Sequence, residues 1–362
     1  MKNEINRLDG MQIEFLIQEE LLRVLECVPI LNDVQVFTSQ HQAYDIQAIA
    51  NVNDVRSLRI ICEVKSNGEP KYIRKAAAQL LSLKEQMQVN NEDEKPYYLL
   101  AAPYISPASS KICEEFGMGF IDLSGNCLII YDGIYIRVEG KPNKYRESKG
   151  KNTSIFERRA VKSSVILRQL LQTPNRRWKM KELSDYSKSS IGQVANIKRY
   201  LEEKEYIASD EDGFFVAKPK EIITEWAQIY NSKPNMTYEY YTKYSVQEFE
   251  QKLIQLKEKT GIEYAVTGFS GAVRYSPTVR YNKVHVYIPY QDLQEAVLSL
   301  DCKQVTSGSN VSIIVPYDPC TMLNVRNINQ LIVASPIQVC LDLLALKGRG
   351  EEAANAIMER EF

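Results

Sequence analysis

Apolar positions along the first 140 residues follow two different periods, and each change of period predicts a new element. Residues 11–25 repeat apolar side chains at helical spacing, with Ile13, Leu16, Ile17, Leu21 and Leu25 as the apolar positions. Strands are predicted at 33–39, 44–51, 57–65, 96–103, 119–124, 126–133 and 134–140, with helices at 71–88 and 106–117. The pattern indicates one α/β domain, assigned to residues 1–145.

From Ser154 the pattern changes to three short helices, at 154–174, 178–187 and 189–207. A two-stranded hairpin follows, turning on Asp212-Gly213, a dipeptide that favours tight hairpin turns. Three helices followed by a hairpin are typical of a winged helix-turn-helix, which we assign to residues 152–232.

The rest of the chain, residues 236–362, again mixes the two periods. A helix is predicted at 246–258, strands at 263–268, 283–289 and 311–317, and helices at the C-terminus. A chain of 362 residues is too long for one ordinary core. We therefore predict a multidomain α/β protein of three domains.

Charge is distributed unevenly. The whole chain carries −1, whereas residues 141–220 carry 19 basic and 10 acidic side chains, a balance of +9. A basic middle in an otherwise acidic chain predicts contact with a polyanion, and double-stranded DNA is the expected partner. The predicted linker adds Lys141, Lys144, Arg146, Lys149 and Lys151, which could follow the DNA backbone as an arm.

Other features of composition exclude several classes of protein. No apolar run approaches the roughly 20 residues of a membrane span, and the N-terminus is polar, so we expect a cytoplasmic protein with no membrane partner. Seven scattered cysteines without a CxxC pair predict reduced thiols. With only His41 and His285 available, catalysis would have to use carboxylates and amines.

The stretch "ICEVKSNGEP" ends an apolar strand on Glu63 and Lys65, which alternation places on one face. Asp45 lies 18 residues earlier, enough for one strand, a turn and a return strand. The following helix carries Gln79, a polar residue in an Ala/Leu-rich stretch that we expect to be buried. Carboxylate oxygens of this kind suit Mg²⁺, which can polarise a scissile phosphate and generate hydroxide.

Together these residues resemble the PD-(D/E)xK nuclease superfamily of restriction-endonuclease-like proteins. The resemblance implies that Asp45 and Glu63 bind Mg²⁺, that Lys65 orients or activates water, and that Gln79 supports the site. It also suggests a glutamate from the first helix, for which Glu20 is the candidate. Two alternatives stay open: a simple ion pair between Glu63 and Lys65, and a domain that keeps these residues but serves only as a DNA-binding scaffold.

In a helix-turn-helix the second helix presents its N-terminal residues to base edges in the major groove. Here that helix is expected to begin at a capping serine, Ser189 or Ser190. The candidate DNA-binding residues are Lys188, Ser189, Ser190, Gln193, Asn196, Lys198 and Arg199. The apolar residues Ile191, Val194, Ile197 and Leu201 recur at helical spacing and are expected to face the core. The alternative is a winged helix used for protein contact.

In the C-terminal region, "YAVTGFSGAVRYSP" leads a strand into a Gly-Phe-Ser-Gly turn. This start resembles nucleotidyltransferase folds, in which the next strand carries two alternate metal-binding acids. Here His285 and Tyr287 stand at those positions, so the domain is predicted to be nucleotidyltransferase-like and inactive. The alternative is that the sequence is only a turn.

The run "ASPIQVCLDLLALKGRGEEAANAI", residues 334–357, resembles the C-terminal region of the AbiEi family of type IV antitoxins. The resemblance implies a transcriptional repressor that binds its own promoter and opposes a nucleotidyltransferase toxin without stable contact. Two features depart from the family: the winged helix is internal, and a nuclease-like domain precedes it.

The leading hypothesis is therefore a DNA-binding transcriptional regulator with an antitoxin role. The rivals are a Mg²⁺-dependent DNA endonuclease and a protein-interaction scaffold. Whether the protein forms homo-oligomers and which DNA sequence it binds are left open.

Overall fold

The computed structural model describes residues 9–40, 43–53, 56–89, 95–145, 155–157, 160–230, 235–277, 279–346 and 348–362. The chain divides into two compact units, Met1–Lys151 with Glu203–Glu205, and Asn152–Glu202 with Tyr206–Phe362. The regions predicted to be a winged helix and a nucleotidyltransferase-like domain share the second unit. His41 and the linker residues Arg146, Lys149 and Lys151 lie outside the described residues.

The first unit is a seven-stranded mixed sheet with helices on both faces. Its helices are α1 (Gly10–Glu26), α2 (Pro70–Val89) and α3 (Pro107–Glu115). Its strands are β1 (Leu31–Thr38), β2 (Ile46–Val52), β3 (Arg56–Val64), β4 (Tyr97–Ala102), β5 (Gly119–Asp122), β6 (Cys127–Tyr131) and β7 (Ile134–Val138). They lie in sequence order across the sheet. The β3–β4 and β4–β5 pairs are parallel, and the other pairs are antiparallel.

Helix α1 covers one face of this sheet through the apolar stripe that its sequence predicts. Asp9 caps the helix, because its Oδ1 accepts the Gln12 N–H at 2.8 Å. The Gln12 Oε1 in turn accepts the Asp9 N–H at 3.0 Å. Four of the five predicted side chains, all but the half-buried Leu16, are buried, in one cluster with alternate residues of β2 such as Ile46 and Ala48. This packing fixes which residues of β2 and β3 point to the opposite face.

Helices α2 and α3 cover that opposite face. Ile73, Ala76 and Leu80 of α2 are buried in one cluster with Ile61 of β3. The turn from β3 into α2 is tight at Gly68, where an added Cβ would lie 1.9 Å from the Tyr104 carbonyl oxygen. The backbone that follows the Glu-x-Lys stretch is therefore held close to the loop after β4.

The second unit begins with helices and a hairpin in the predicted order. The helices are α4 (Val161–Gln172), α5 (Met180–Ser187) and α6 (Ile191–Glu203), followed by β8 (Ile207–Ser209), β9 (Phe214–Val216) and α7 (Pro219–Tyr230). The hairpin turns at Asp212 and Gly213, as predicted, and the Asp210 Oδ1 accepts the N–H groups of both. Between α4 and α5, Trp178 adds a bridge to the hairpin, exchanging backbone hydrogen bonds with Phe214 at 2.8 and 3.1 Å.

The remainder of the second unit is a second seven-stranded sheet with flanking helices. Its strands are β10 (Met236–Tyr241), β11 (Ala265–Thr267), β12 (Val284–Tyr287), β13 (Lys303–Gln304), β14 (Val311–Val315), β15 (Arg326–Ile328) and β16 (Leu331–Val333). Its helices are α8 (Val246–Thr260), α9 (Gly268–Tyr275), α10 (Leu293–Ser299), α11 (Pro336–Leu343) and α12 (Arg349–Glu361), with 3₁₀ turns at Tyr290–Asp292 and Pro319–Met322. The sheet order is β13-β10-β14-β12-β11-β16-β15.

One hydrophobic cluster runs through the whole second unit. It includes Ile166 of α4, Ile197 of α6, Trp226 of α7, Val286 of β12 and Leu341 of α11. The helices before the hairpin and the sheet after it are therefore parts of a single folded body. Within the described part of the chain, no helix is both long and apolar enough to cross a membrane.

Candidate functional sites

Asp45 and Glu63 face each other at the end of β3. The last pair of the β2–β3 ladder is Ile46 with Cys62, so Asp45 and Glu63 are the next residues outward and project to the same face. The Asp45 Oδ2 accepts the Val64 N–H at 2.7 Å, which fixes this carboxylate against the strand end. The structure thus brings together the two acids that the sequence places on neighbouring strands.

Lys65 completes this cluster, since its ammonium group contacts the Glu63 carboxylate. Glu63 is only 9% exposed. Burial raises its pKa, the Asp45 charge raises it further, and the hydrogen bond from Lys65 lowers it. A divalent cation could relieve this repulsion between two close carboxylates.

A glutamate of α1 lies near the cluster, but it is not the expected one. Glu20 is engaged by the Arg23 side chain, with an Nε–Oε2 distance of 2.9 Å. Glu14 instead lies close enough to Asp45 for the two charges to interact. Partial burial and the Asp45 charge both raise the pKa of Glu14. Glu14 and Glu20 both lie three residues from the buried Ile17, so this spacing alone could not distinguish them.

The expected burial of Gln79 is wrong. Its side chain is exposed on α2, because Ile73, Ala76 and Leu80 define the buried stripe and residue 79 falls outside it. Within the described residues, its side chain forms no hydrogen bond to Asp45, Glu63 or Lys65. Nor do the described residues contain a group of three or more His, Cys, Asp or Glu side chains arranged to hold a metal ion.

Helix α6 begins where the sequence predicts, at a capping serine. The Ser190 Oγ accepts the Gln193 N–H at 3.2 Å, and the Gln193 Oε1 accepts the Ser190 N–H at 3.2 Å. Lys188 ends α5 in a left-handed conformation, φ 49°, and its side chain is exposed in the turn between the two helices. Ser189 in the same turn is half-buried, and its hydroxyl donates to the Ser187 carbonyl at 3.1 Å.

The exposed face of α6 carries most, but not all, of the predicted DNA-binding residues. Gln193, Asn196 and Arg199 are exposed, and the Arg199 Nη2 donates to the Asn196 Oδ1 at 3.0 Å. Lys198 is half-buried, because its ammonium pairs with Glu202 and lies 5.5 Å from the centre of the Phe214 ring. It therefore supports the hairpin rather than extending the exposed face.

The expected burial of Ile191 is also wrong. Val194, Ile197 and Leu201 lie in the core as predicted, but Ile191 is 53% exposed. Ile191 is the first residue of the helix, one turn before Val194, and so lies beyond the end of the apolar contact that buries the other three.

A buried polar network joins α4 to α11 in the second unit. The Arg168 Nη2 donates to the Gln338 Oε1 at 2.6 Å. The Gln338 Nε2 donates to the Asp342 Oδ1 at 2.8 Å, and the Tyr287 hydroxyl donates to the same oxygen at 2.8 Å. Thr267, at the end of β11, donates to the Asp342 Oδ2. The Gln and Asp of the "PIQVCLD" segment are thus the residues that connect the sheet to α4.

Residues 215–362 match the AbiEi antitoxin family. The matching model is AbiEi_2, described as transcriptional regulator, AbiEi antitoxin, type IV TA system. The resemblance predicted from residues 334–357 is therefore confirmed. The AbiEi match begins at Phe215 inside β9. Within the matched region, Gln338 and Asp342 belong to the buried polar network, which also includes Arg168 from outside that region.

Comparison with solved structures gives a repair endonuclease from Pyrococcus abyssi, 16% identical over 34% of this chain and 49% of that chain, with a TM-score of 0.23. EndoMS in apo form is 17% identical over 34% of this chain and 48% of that one, also with a TM-score of 0.23. This chain thus covers about half the length of those proteins, and at such TM-scores the likeness carries no argument about its activity. A comparison with curated proteins gives no match.

Proposed function

We propose that this protein is a DNA-binding transcriptional regulator of the AbiEi antitoxin type, which contacts duplex DNA through a winged helix. The observation that carries the proposal is the Ser190-capped helix with its exposed Gln193, Asn196 and Arg199, folded into one unit with the AbiEi-matched region. The order α4, Trp178 bridge, α5, α6 and hairpin supports a winged helix, with α6 as the recognition helix.

The side chains of this surface suit two different parts of a duplex. Gln193 and Asn196 amides can each form two hydrogen bonds with adenine, while Lys188 and Arg199 can neutralise phosphates. Gln193 first has to release the Ser190 N–H, whereas the Asn196 oxygen accepts a hydrogen bond from the exposed Arg199 side chain. We therefore expect Asn196 to contribute more to sequence preference than Gln193.

The test is fluorescence anisotropy with duplexes selected from a random library, across a range of salt concentrations. Asn196→Ala and Gln193→Ala should relax the selected sequence, whereas Lys188→Ala should weaken binding to all duplexes and reduce the salt slope by about one. Lys259→Ala, an exposed lysine of α8, is the matched control and should change neither. Binding to no duplex, or binding independent of salt, would refute the proposal.

We further propose that the AbiEi-type role pairs this regulator with a nucleotidyltransferase toxin without stable contact, as the resemblance implies. Residues 236–362 would then be a nucleotidyltransferase-like body that supports the winged helix. The passage from β11 through α9 to β12 supports this fold, with His285 and Tyr287 at the positions where such enzymes carry acids. Burial lowers the pKa of His285 to about 4, so the imidazole is neutral at physiological pH. Co-purification of the two proteins at micromolar concentration would contradict the absence of stable contact.

A second candidate function is a Mg²⁺-dependent DNA endonuclease in the first unit. The cluster of Asp45, Glu63 and Lys65, with Glu14 nearby, favours it. Asp45 and Glu63 would hold the ion, which when bound would polarise the scissile phosphate. Lys65 would orient the attacking water, and the Glu14 carboxylate would add negative charge beside the site.

This candidate is tested by incubating the protein with supercoiled plasmid in Mg²⁺ and then Mn²⁺. Wild type should relax or linearise the plasmid, and Asp45→Ala and Lys65→Ala should not. Glu20→Ala, which removes the α1 glutamate paired with Arg23, is the control and should cut like wild type. An uncut plasmid, with Mn²⁺ affinity by calorimetry equal in wild type and Asp45→Ala, would eliminate the nuclease candidate.

A further inference from the structure

The start of α6 carries small and apolar side chains that are exposed, so packing inside the second unit does not account for them. Ile191 is 53% exposed, and Ala195, one turn later on the same face, is exposed as well. Between them, Gly192 is exposed, and a Cβ added there would meet nothing nearer than the Ser190 Oγ at 4.0 Å. The fold therefore does not require glycine at 192, although glycine inside a helix is less stable than alanine.

The charges around this surface favour a polyanion as its partner. Lys162, Lys181, Lys188 and Arg199 are all exposed on α4, α5 and α6 or in the turn between α5 and α6. The Lys162 ammonium donates to the Lys188 carbonyl oxygen at 2.8 Å, which places a second cation at that turn.

Opposing charges are fewer near the start of α6. On α5, Glu182 is paired with Arg176 at 2.5 Å, and Asp185 is exposed. On α6, the acids Glu202 and Glu203 lie at the C-terminal end. An apolar centre with a mainly basic rim fits the major groove of a duplex.

We propose that Ile191 is a specificity-determining residue that contacts the C5 methyl group of a thymine. In the major groove, thymine is the base that presents a methyl group, and apolar side chains recognise it. The first residues of a recognition helix are the ones that reach base edges. Gly192 and Ala195, which project little or no side chain, let the helix approach the bases closely enough for this contact. The inference rests on the proposed winged-helix function.

The contact is tested by replacing thymines one at a time with deoxyuracil, which pairs identically but lacks the methyl group. Duplexes selected by the wild-type protein from a random library are the probes, and affinity is measured by anisotropy. At one position the replacement should weaken wild-type binding by about fourfold, the factor expected for one buried methyl-sized group. Ile191→Ala should bind the thymine and deoxyuracil duplexes equally, and Ile191→Val should keep part of the difference.

Two further variants separate recognition from folding. Leu298→Ala removes an aliphatic side chain that is 75% exposed on α10, and it should leave the methyl effect unchanged. Gly192→Leu should fold normally, because the space around residue 192 is open, but should lose affinity for every selected duplex since the longer side chain holds α6 away from the bases.

The inference is overturned if no deoxyuracil position affects the wild type, or if Ile191→Ala keeps the same discrimination. A uniform loss of affinity in Ile191→Ala, with the methyl effect intact, would also overturn it. If the wild type binds no duplex in a salt-dependent manner, the proposed function itself fails. The salt titration of the wild type is therefore done first, so that the two failures are distinguishable.

Discussion

Replacing Arg168 by methionine is expected to destabilise the second unit strongly. Arg168 is 1% exposed on α4. Its Nη2 donates to Gln338 at 2.6 Å, its Nε donates to the Ser164 Oγ at 3.3 Å, and its guanidinium lies 5.2 Å from the Trp226 ring centre. A fully buried side chain thus links one helix of the proposed winged helix to the AbiEi-matched region.

The size of the loss follows from what the substitution leaves behind. Asp318, which is 0% exposed, would keep the Ser164 hydroxyl at 3.2 Å and the Cys320 N–H at 2.9 Å but lose its nearby cation, while the Gln338 oxygen would lose its donor. Removing one partner of a buried ion pair costs roughly 3–5 kcal/mol. The Arg168–Asp318 distance is long, 3.9 Å, so we take the lower end, about 3 kcal/mol.

Urea unfolding followed by tryptophan fluorescence measures this loss directly. The chain has two tryptophans, Trp178 and Trp226, and both are buried in the second unit, so the signal reports that unit alone. With a slope near 2 kcal/mol per molar urea, the midpoint should fall by about 1.5 M. Arg326→Met, which breaks a partly exposed pair with Glu361, is the control and should shift the midpoint by about 0.5 M or less.

Equal shifts in the two variants would refute the idea that the buried network stabilises the second unit. A further check is the double variant Arg168→Met/Gln338→Leu. Because the two side chains are in contact, the double variant should lose less stability than the sum of the single variants. Strict additivity would mean that the 2.6 Å hydrogen bond contributes little.

Three other predictions concern single sites. Burial lowers the pKa of His285 to about 4, so its stabilising contribution is complete above its usual pKa of 6.5 and declines as the pH falls below that value. Between pH 7.5 and 5, wild type should lose roughly 1–2 kcal/mol more than His285→Gln by tryptophan-detected urea unfolding, and equal losses would contradict this. Burial raises the pKa of Glu63, so ionising this carboxyl destabilises the folded state as the pH rises above its usual pKa of 4.5. Glu63→Gln should therefore slow hydrogen exchange of β3 more at pH 7.5 than at pH 4.5, after correction for the intrinsic exchange rate. A difference that does not depend on pH would contradict this prediction. Gly68→Ala forces a Cβ to within 1.9 Å of the Tyr104 oxygen and should destabilise the first unit by roughly 2 kcal/mol or more in circular-dichroism melts, while an altered tryptophan-detected midpoint would show that the damage is not local.

Much of the fold could be predicted because local patterns and the structure agree. The period of α1, the Asp212-Gly213 turn and the Ser190 cap are local signals, and each is confirmed. Asp45 and Glu63 could be placed together because the spacing between them fits two antiparallel neighbouring strands. Short strands such as Met236–Tyr241 were missed, since their tyrosines and polar residues give no clear alternation.

The wrong predictions came from reading residue type without position. Gln79 was expected inside because its neighbours are apolar, but the buried stripe of α2 excludes residue 79. Ile191 has the helical spacing of a core residue, but it lies beyond the end of the core that buries Val194, Ile197 and Leu201. The link between Arg168 and Gln338 could not be predicted, because the two residues are 170 positions apart and no local pattern relates them.

The network between α4 and α11 has a consequence for genetics. In a screen for lost repression under the proposed function, substitutions at Gln338 or Asp342 should be recovered alongside those at Asn196, although they lie in the sheet-supporting part of the unit. Their phenotype would come from lower protein abundance, since about 3 kcal/mol is a large share of typical domain stability. Immunoblots at reduced growth temperature would separate the two classes: repression by the network variants should return on cooling, and that of the α6 variants should not.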